Sequence, residues 1–197
     1  MSAVPQFVPS RICFNCDVCC RFPERDSFLR PYFTRSEIEM AIQHGVSPEH
    51  FANRGGSQIE VVPHPSGEGY LCPAFDLSTS RCRIYEARPF DCQLYPLVLM
   101  WDDRHDEIQL GWDTKCPFLS PAGSDVPFSQ DLSKLTVPPP LPEEIMQQAK
   151  RVADRLEEGA WHDQIIQHPH LVTPFQDDVV ILRSLPRLTN AVGRPNA

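Results

Sequence analysis

Apolar residues recur at a helical period in two stretches of the chain. Over 142–158, Ile145, Ala149, Val152 and Leu156 follow one another at spacings of four, three and four. That is one face of a helix, and Gly159 stands where such a helix stops. Earlier, Thr34 followed by Glu37 has the form of a capping box, and Ile38, Ala41 and Ile42 then give a short apolar face that Gly45 can end. Ser47 and Pro48 fit the N-cap and first turn of a second short helix, with Gly55 as its stop. A strand period runs over 58–62, the stretch 63–69 is turn-like, and Tyr70 and Leu71 return as a second strand. The segments 97–101 and 107–112 flank a polar turn and read as a hairpin. A last apolar run, 179–182, has no assigned role in this pattern.

Composition changes this picture in one respect. The chain carries 21 prolines, which predicts much loop and few long regular elements. Several of them crowd the stretch 117–142, including Pro138, Pro139 and Pro140. Such a stretch is semi-extended and reads as a linker or a strap. All eight cysteines precede it, between Cys13 and Cys116. The expected organisation is a cysteine-cluster metal-binding domain over 11–116, a proline-rich linker over 117–142, and a C-terminal helix and tail over 143–197. The expected fold class is α+β: a small irregular domain of short helices and hairpins around a metal site, with a C-terminal helical extension.

A net charge of −8 repels phosphate backbones and argues against a nucleic-acid partner. No apolar run approaches the length of a membrane span. Residues 1–10 show neither a basic n-region nor an apolar h-region, so a cytoplasmic location is expected. In that reducing compartment clustered thiols serve as metal ligands or redox groups more often than as disulfides.

The chemistry lies in those thiols. Cys13, Cys16, Cys19 and Cys20 form a C-x2-C-x2-C-C run. Ligands separated by two residues let one tight backbone loop aim successive sulfurs at a single centre, and bacterial ferredoxins use a C-x2-C-x2-C run with a further cysteine before proline. Here Cys72 and Cys116 each precede proline, and either completes a four-thiolate set with the first three. Adjacent residues usually project in different directions, so Cys20 is not expected to serve the same metal atom as Cys19 and suits a second centre, a cap on the site or the core. Cys72, Cys82 and Cys92 stand with nine residues between each pair, a looser spacing that no single turn explains. Soft thiolates suit an iron–sulfur cluster or zinc. The ferredoxin-like spacing and the surplus of thiols favour [4Fe–4S]. Arg83 and Arg88 either offset the charge of a thiolate-rich centre or pair with Glu86 or Asp91. Arg88, before proline, is expected to be extended. Tyr85, Phe90 and Tyr95 are expected to wall the site from water. His162, His168 and His170 read as a solvated tail group more than as ligands.

These residues resemble a known family. The run from Cys13 to Cys20 is similar to the signature of the CxxCxxCC, or YkgJ-like, zinc- or iron-chelating domains. Gly69-Tyr70-Leu71-Cys72-Pro73, then Cys82-Arg83-Ile84-Tyr85-Glu86-Ala87-Arg88-Pro89, then Cys92-Gln93-Leu94-Tyr95-Pro96 resemble that family's later blocks, in order. Gln93 stands where the family often has arginine. The resemblance covers about residues 11–116. It implies a metal ion or cluster as partner, with Cys13, Cys16, Cys19, Cys20, Cys72, Cys82, Cys92 and Cys116 as candidate ligands and Arg88 beside the cofactor. The family includes flagellin lysine N-methylases, which implies an alternative: an iron–sulfur-dependent enzyme that modifies a protein substrate. The chain shows no glycine-rich strand-to-helix fingerprint for a nucleotide-like cofactor.

Overall fold

The computed structural model describes residues 4–14, 16–119 and 141–193. Nearly all of the expected linker, 117–142, lies outside them. The chain divides into two compact units, Val8–Tyr95 and a second made of Met1–Phe7 with Pro96–Ala197. Both are built from short helices and small antiparallel sheets, and the fold is α+β. Among the described residues, no helix is long and apolar enough to cross a membrane.

In the first unit, α1 (Ser10–Cys13) leads into the cysteine run. Strands β1 (Arg21–Phe22), β4 (Val62–Pro63) and β5 (Tyr70–Leu71) form one sheet in the order β1-β5-β4. Two ribbons accompany it. One pairs β2 (Tyr32–Thr34) with β3 (Gly56–Gln58), and the other pairs β6 (Phe75–Asp76) with β7 (Arg81–Cys82). Helix α2 (Arg35–Gln43) begins at Thr34 with the capping box in place, and Gly45 follows it at φ 91°, a left-handed value that glycine takes without strain. Its Ile38 and Ala41 join Phe22, Phe33, Phe51, Ile59, Val61 and Ala74 in one buried cluster.

Two expectations change here. The second helix shrinks to a single 3₁₀ turn, Pro48–His50, and Ser47 makes no side-chain cap. Phe51 leaves helical geometry because it bridges Ile59 and meets the Phe33 ring edge-to-face at 5.2 Å. Core burial there outweighs the local helix signal. The strand over 58–62 is split: Gln58 closes β3, and Val62 opens β4 in a different sheet. Its alternation is nonetheless real, since Ile59 and Val61 both reach the core. Helix α3 (Phe90–Leu94), which carries Cys92, completes the unit.

In the second unit, β8 (Leu97–Trp101) and β9 (Ile108–Asp113) form the expected hairpin, with Leu97 opposite Trp112 and Trp101 opposite Ile108. Asp102 Oδ1 closes its turn by accepting the amides of Asp106 (2.7 Å) and Glu107 (3.2 Å). The unassigned run at 179–182 becomes β10 (Val179–Ser184), paired antiparallel with the other edge of β9. Helix α4 (Glu143–Glu157) buries Ile145, Ala149, Val152, Ala153 and Leu156, as its stripe predicts, and lies against β10 and α6 (Pro186–Val192). Helix α5 (His162–Gln167) follows α4, and the His162 ring bonds the Leu156 carbonyl at 2.5 Å.

Candidate metal centre

Each block of the first unit delivers a thiol by a local device. The end of α1 presents Cys13, and the Cys16 amide donates back to the Cys13 carbonyl at 3.3 Å. A 3₁₀ turn, Val18–Cys20, carries Cys19 and Cys20 and runs straight into β1. Pairing of β1 with β5 then brings in a distant segment: the Cys72 amide donates to the Cys20 carbonyl at 2.8 Å. The β6–β7 ribbon folds Cys82 back toward Cys72, since Phe75 faces Cys82 and the Arg83 amide reaches the Ala74 carbonyl at 2.8 Å. Two carboxylates seat α3. Glu37 Oε1 accepts the Phe90 amide at 2.7 Å, and Asp91 Oδ2 accepts the Tyr32 amide at 3.0 Å. Cys92 is thereby fixed relative to α2 and β2.

Cys19 lies within electrostatic range of the other six thiols of the first unit. Charge at Cys19 is felt at Cys13, Cys16, Cys20, Cys72, Cys82 and Cys92. Burial, before any other cause, pushes Cys13, Cys16 and Cys82 up, takes Cys72 to about 12, and puts Cys92 well above the ordinary thiol value. The adjacent pair diverges. The Cys20 thiol donates to Cys19, so Cys19 is lowered and Cys20 is raised well above its ordinary value. Cys19 is exposed as a residue, yet burial of its sulfur opposes that lowering.

Three sulfurs accept a backbone amide from two residues onward: Cys16 from Val18, Cys72 from Ala74 and Cys82 from Ile84. Amide donors of this kind favour the thiolate and orient it, and hydrogen bonds to sulfur tune a bound cluster. Cations add to this. Arg88 lowers Cys13, Cys19 and Cys82, and Arg83 lowers Cys72 and Cys82. Arg88 is extended, as expected before Pro89, with its Nε bonded to the Tyr85 carbonyl at 2.8 Å. Gln93, at the position where arginine is frequent, donates to the Arg88 carbonyl at 2.6 Å and so holds the loop rather than facing the thiols with a charge.

The cysteines are all free thiols. Among the described residues, no three His, Cys, Asp or Glu side chains already stand as a coordination set. The donor chemistry, soft thiols supported by amides and guanidinium groups, fits a thiophilic ion or cluster. Cys116 belongs to the second unit, where it is buried and its amide bonds the Asp113 carbonyl at 3.2 Å. A cavity of about 400 Å³ in the first unit is lined by Arg25, Asp26, Arg30 and Glu60, with no cysteine among its described lining residues.

The thiols are visible in the sequence, whereas Glu37 and Asp91, which support Cys92, are not visible there in that role. The Thr34–Glu37 spacing pointed to the cap alone, because nothing local shows that the second carboxylate oxygen reaches Phe90. No curated protein and no solved structure matches the chain. Residues 12–117 match the family model CxxCxxCC, "Putative zinc- or iron-chelating domain". That match spans more than half of the chain, and with the thiols it gathers, the protein belongs to the CxxCxxCC family.

Proposed function

We propose that the unit Val8–Tyr95 binds a [4Fe–4S] cluster through its cysteines. The observation that carries this reading is the position of Cys19, in electrostatic reach of three thiols of its own run and of three more from separate later segments. Cys13, Cys16 and Cys19 supply the ferredoxin-like run, and Cys72, Cys82 and Cys92 are the long-range donors. Cys20 supports the set as the hydrogen-bond donor to Cys19. Arg88 supplies a nearby positive charge that offsets thiolate charge. When bound, such a cluster supplies one-electron chemistry or a structural cross-link. The ferredoxin-like C-x2-C-x2-C spacing of Cys13, Cys16 and Cys19 favours iron–sulfur above zinc.

Anaerobic purification followed by iron, sulfide and zinc analysis tests the reading. A brown protein with equal iron and acid-labile sulfide, and a visible band that dithionite bleaches, is the expected result. A colourless protein with stoichiometric zinc replaces the cluster by zinc, and a protein that retains neither overturns the proposal.

A further inference from the structure

Four side chains from three segments form a continuous stack beside the thiols. The Arg81 guanidinium lies over the Phe14 ring, 5.0 Å from its centroid. Phe14 meets Tyr85 edge-to-face, with centroids 4.7 Å apart and planes at 61°. The Arg88 guanidinium covers Tyr85 at 3.8 Å. Phe14 is the residue after Cys13, at the C-terminal end of α1. Tyr85 also bonds Cys13 directly, its hydroxyl donating to the sulfur.

The segment that ends α1 is therefore held at two adjacent points by one tyrosine. The need for such a hold is clear from the local structure. Helix α1 is four residues long, buries none of them, and has no side-chain cap. A helix this short is not stable by itself. The backbone bonds of Cys13 are local, its amide to the Pro9 carbonyl at 3.4 Å and its carbonyl from the Cys16 amide at 3.3 Å, whereas the Cys72 amide is joined to the distant Cys20 carbonyl. Edge-to-face rings and a cation over a ring face each add a directional attraction beyond burial. Tyr85 is itself fixed, because its carbonyl accepts from Arg88 Nε and the Arg88 carbonyl accepts from Gln93.

We propose that Tyr85 and Phe14 are positioning residues, a clasp that keeps Cys13 within reach of the other thiols, with Arg81 and Arg88 bracing it at the two ends. The inference rests on the reading of the thiols as a metal site, but the clasp itself is a property of the metal-free chain.

The test uses the full-length protein, reduced and stripped of metal, in three variants. Tyr85→Leu removes ring and hydroxyl, Tyr85→Phe keeps the ring, and Phe14→Leu removes the opposing ring. Iodoacetamide labelling of Cys13 is followed by peptide mass spectrometry, with buried Cys72 as the internal control of folding. Tyr85→Leu and Phe14→Leu should raise Cys13 labelling roughly three- to tenfold, the population change that follows from losing one edge-to-face ring pair, and leave Cys72 protected. In parallel, Co(II) is added anaerobically. Tyr85→Leu should lose one thiolate's share of the charge-transfer absorption per bound cobalt, and Tyr85→Phe should keep it. Wild-type labelling of Cys13 in both leucine variants overturns the clasp, as does an unchanged cobalt band in Tyr85→Leu. If the wild-type protein takes no cobalt while Cys13 labelling still responds, the metal reading fails and the clasp stands.

Discussion

Glu37 and Phe90 are joined across 53 residues of sequence by a 2.7 Å hydrogen bond from the Phe90 amide to Glu37 Oε1. The other oxygen of the same carboxylate accepts the Thr34 amide and the Thr34 hydroxyl, both at 2.8 Å. One side chain thus serves the first turns of two helices, α2 and α3, and α3 carries Cys92. Acceptors at helix N-termini satisfy amides that have no partner inside the helix. Glu37→Ala leaves several donors unmet in a half-buried place and should cost about 1–3 kcal/mol. Urea denaturation should show that loss. Cys92 should become accessible to iodoacetamide at the same time, which a defect confined to α2 would not produce.

Gly69 holds the strand that leads to Cys72. Its φ is +71°, and an added Cβ would lie 2.6 Å from the Phe22 carbonyl oxygen. Both the backbone conformation and the close approach of β1 exclude a side chain. Gly69→Ala should therefore destabilise the unit by roughly 1–3 kcal/mol. It should also loosen the β1–β5 pairing that joins Cys20 to Cys72. Thermal melting and metal content should fall together; an unchanged melt would mean that β1 yields without cost.

Asp76 gives the β6–β7 turn a pH dependence. Its carboxylate accepts the Ser78 hydroxyl (2.7 Å), the Ser78 amide (2.9 Å) and the Thr79 hydroxyl (3.0 Å), which hold it below the usual carboxylate value. A carboxylate held low in the folded state contributes stability above its unfolded-chain value, and that contribution fades as pH falls through the lower folded value. The Ser78 and Thr79 amide resonances should therefore shift below pH of about 4. In Asp76→Asn, whose side chain does not titrate, that step should be absent. A titration midpoint above the ordinary aspartate value would contradict the bonding described.

Local signals were the legible ones. The Thr34–Glu37 cap and the α4 stripe lie within one or a few turns of chain, and both formed as read. The hairpin of β8 and β9 was equally local. Strand β10 was not legible as a strand, because its partner β9 is distant in sequence and no turn signal links them. Its register also depends on Gly111, where an added Cβ would run into the Val179 side chain and lie 3.2 Å from the Val180 carbonyl. Gly111→Ala should accordingly weaken the β9–β10 edge. At the site, spacing revealed the thiols. It did not reveal the amides donated to Cys16, Cys72 and Cys82, which depend on local turn geometry that spacing does not fix, nor the meeting of Phe14 with Tyr85, which arises only when separate segments pack.

The bound centre should contribute much of the stability of the first unit. Among the described residues of Val8–Tyr95 no strand exceeds three residues, and the longest helix, α2, has nine. Elements this short are weak alone, and the unit depends on contacts between distant segments. Those segments are the ones that carry Cys13 to Cys20, Cys72, Cys82 and Cys92. A metal that joins them restricts the unfolded chain, and its binding free energy becomes folding free energy. It also offsets the burial that raises most of these thiols, because a ligated sulfur is held as thiolate by the metal. Cys16→Ser should therefore lower metal content and melting temperature together. Chelation or oxidative loss of the centre should raise amide exchange in residues 8–95 while α4, whose stripe is buried on β10 and α6, stays protected. Hydrogen exchange with mass spectrometry on loaded and stripped protein makes the comparison. Equal exchange and equal melting in the two forms would show that the centre is added to a fold already complete without it.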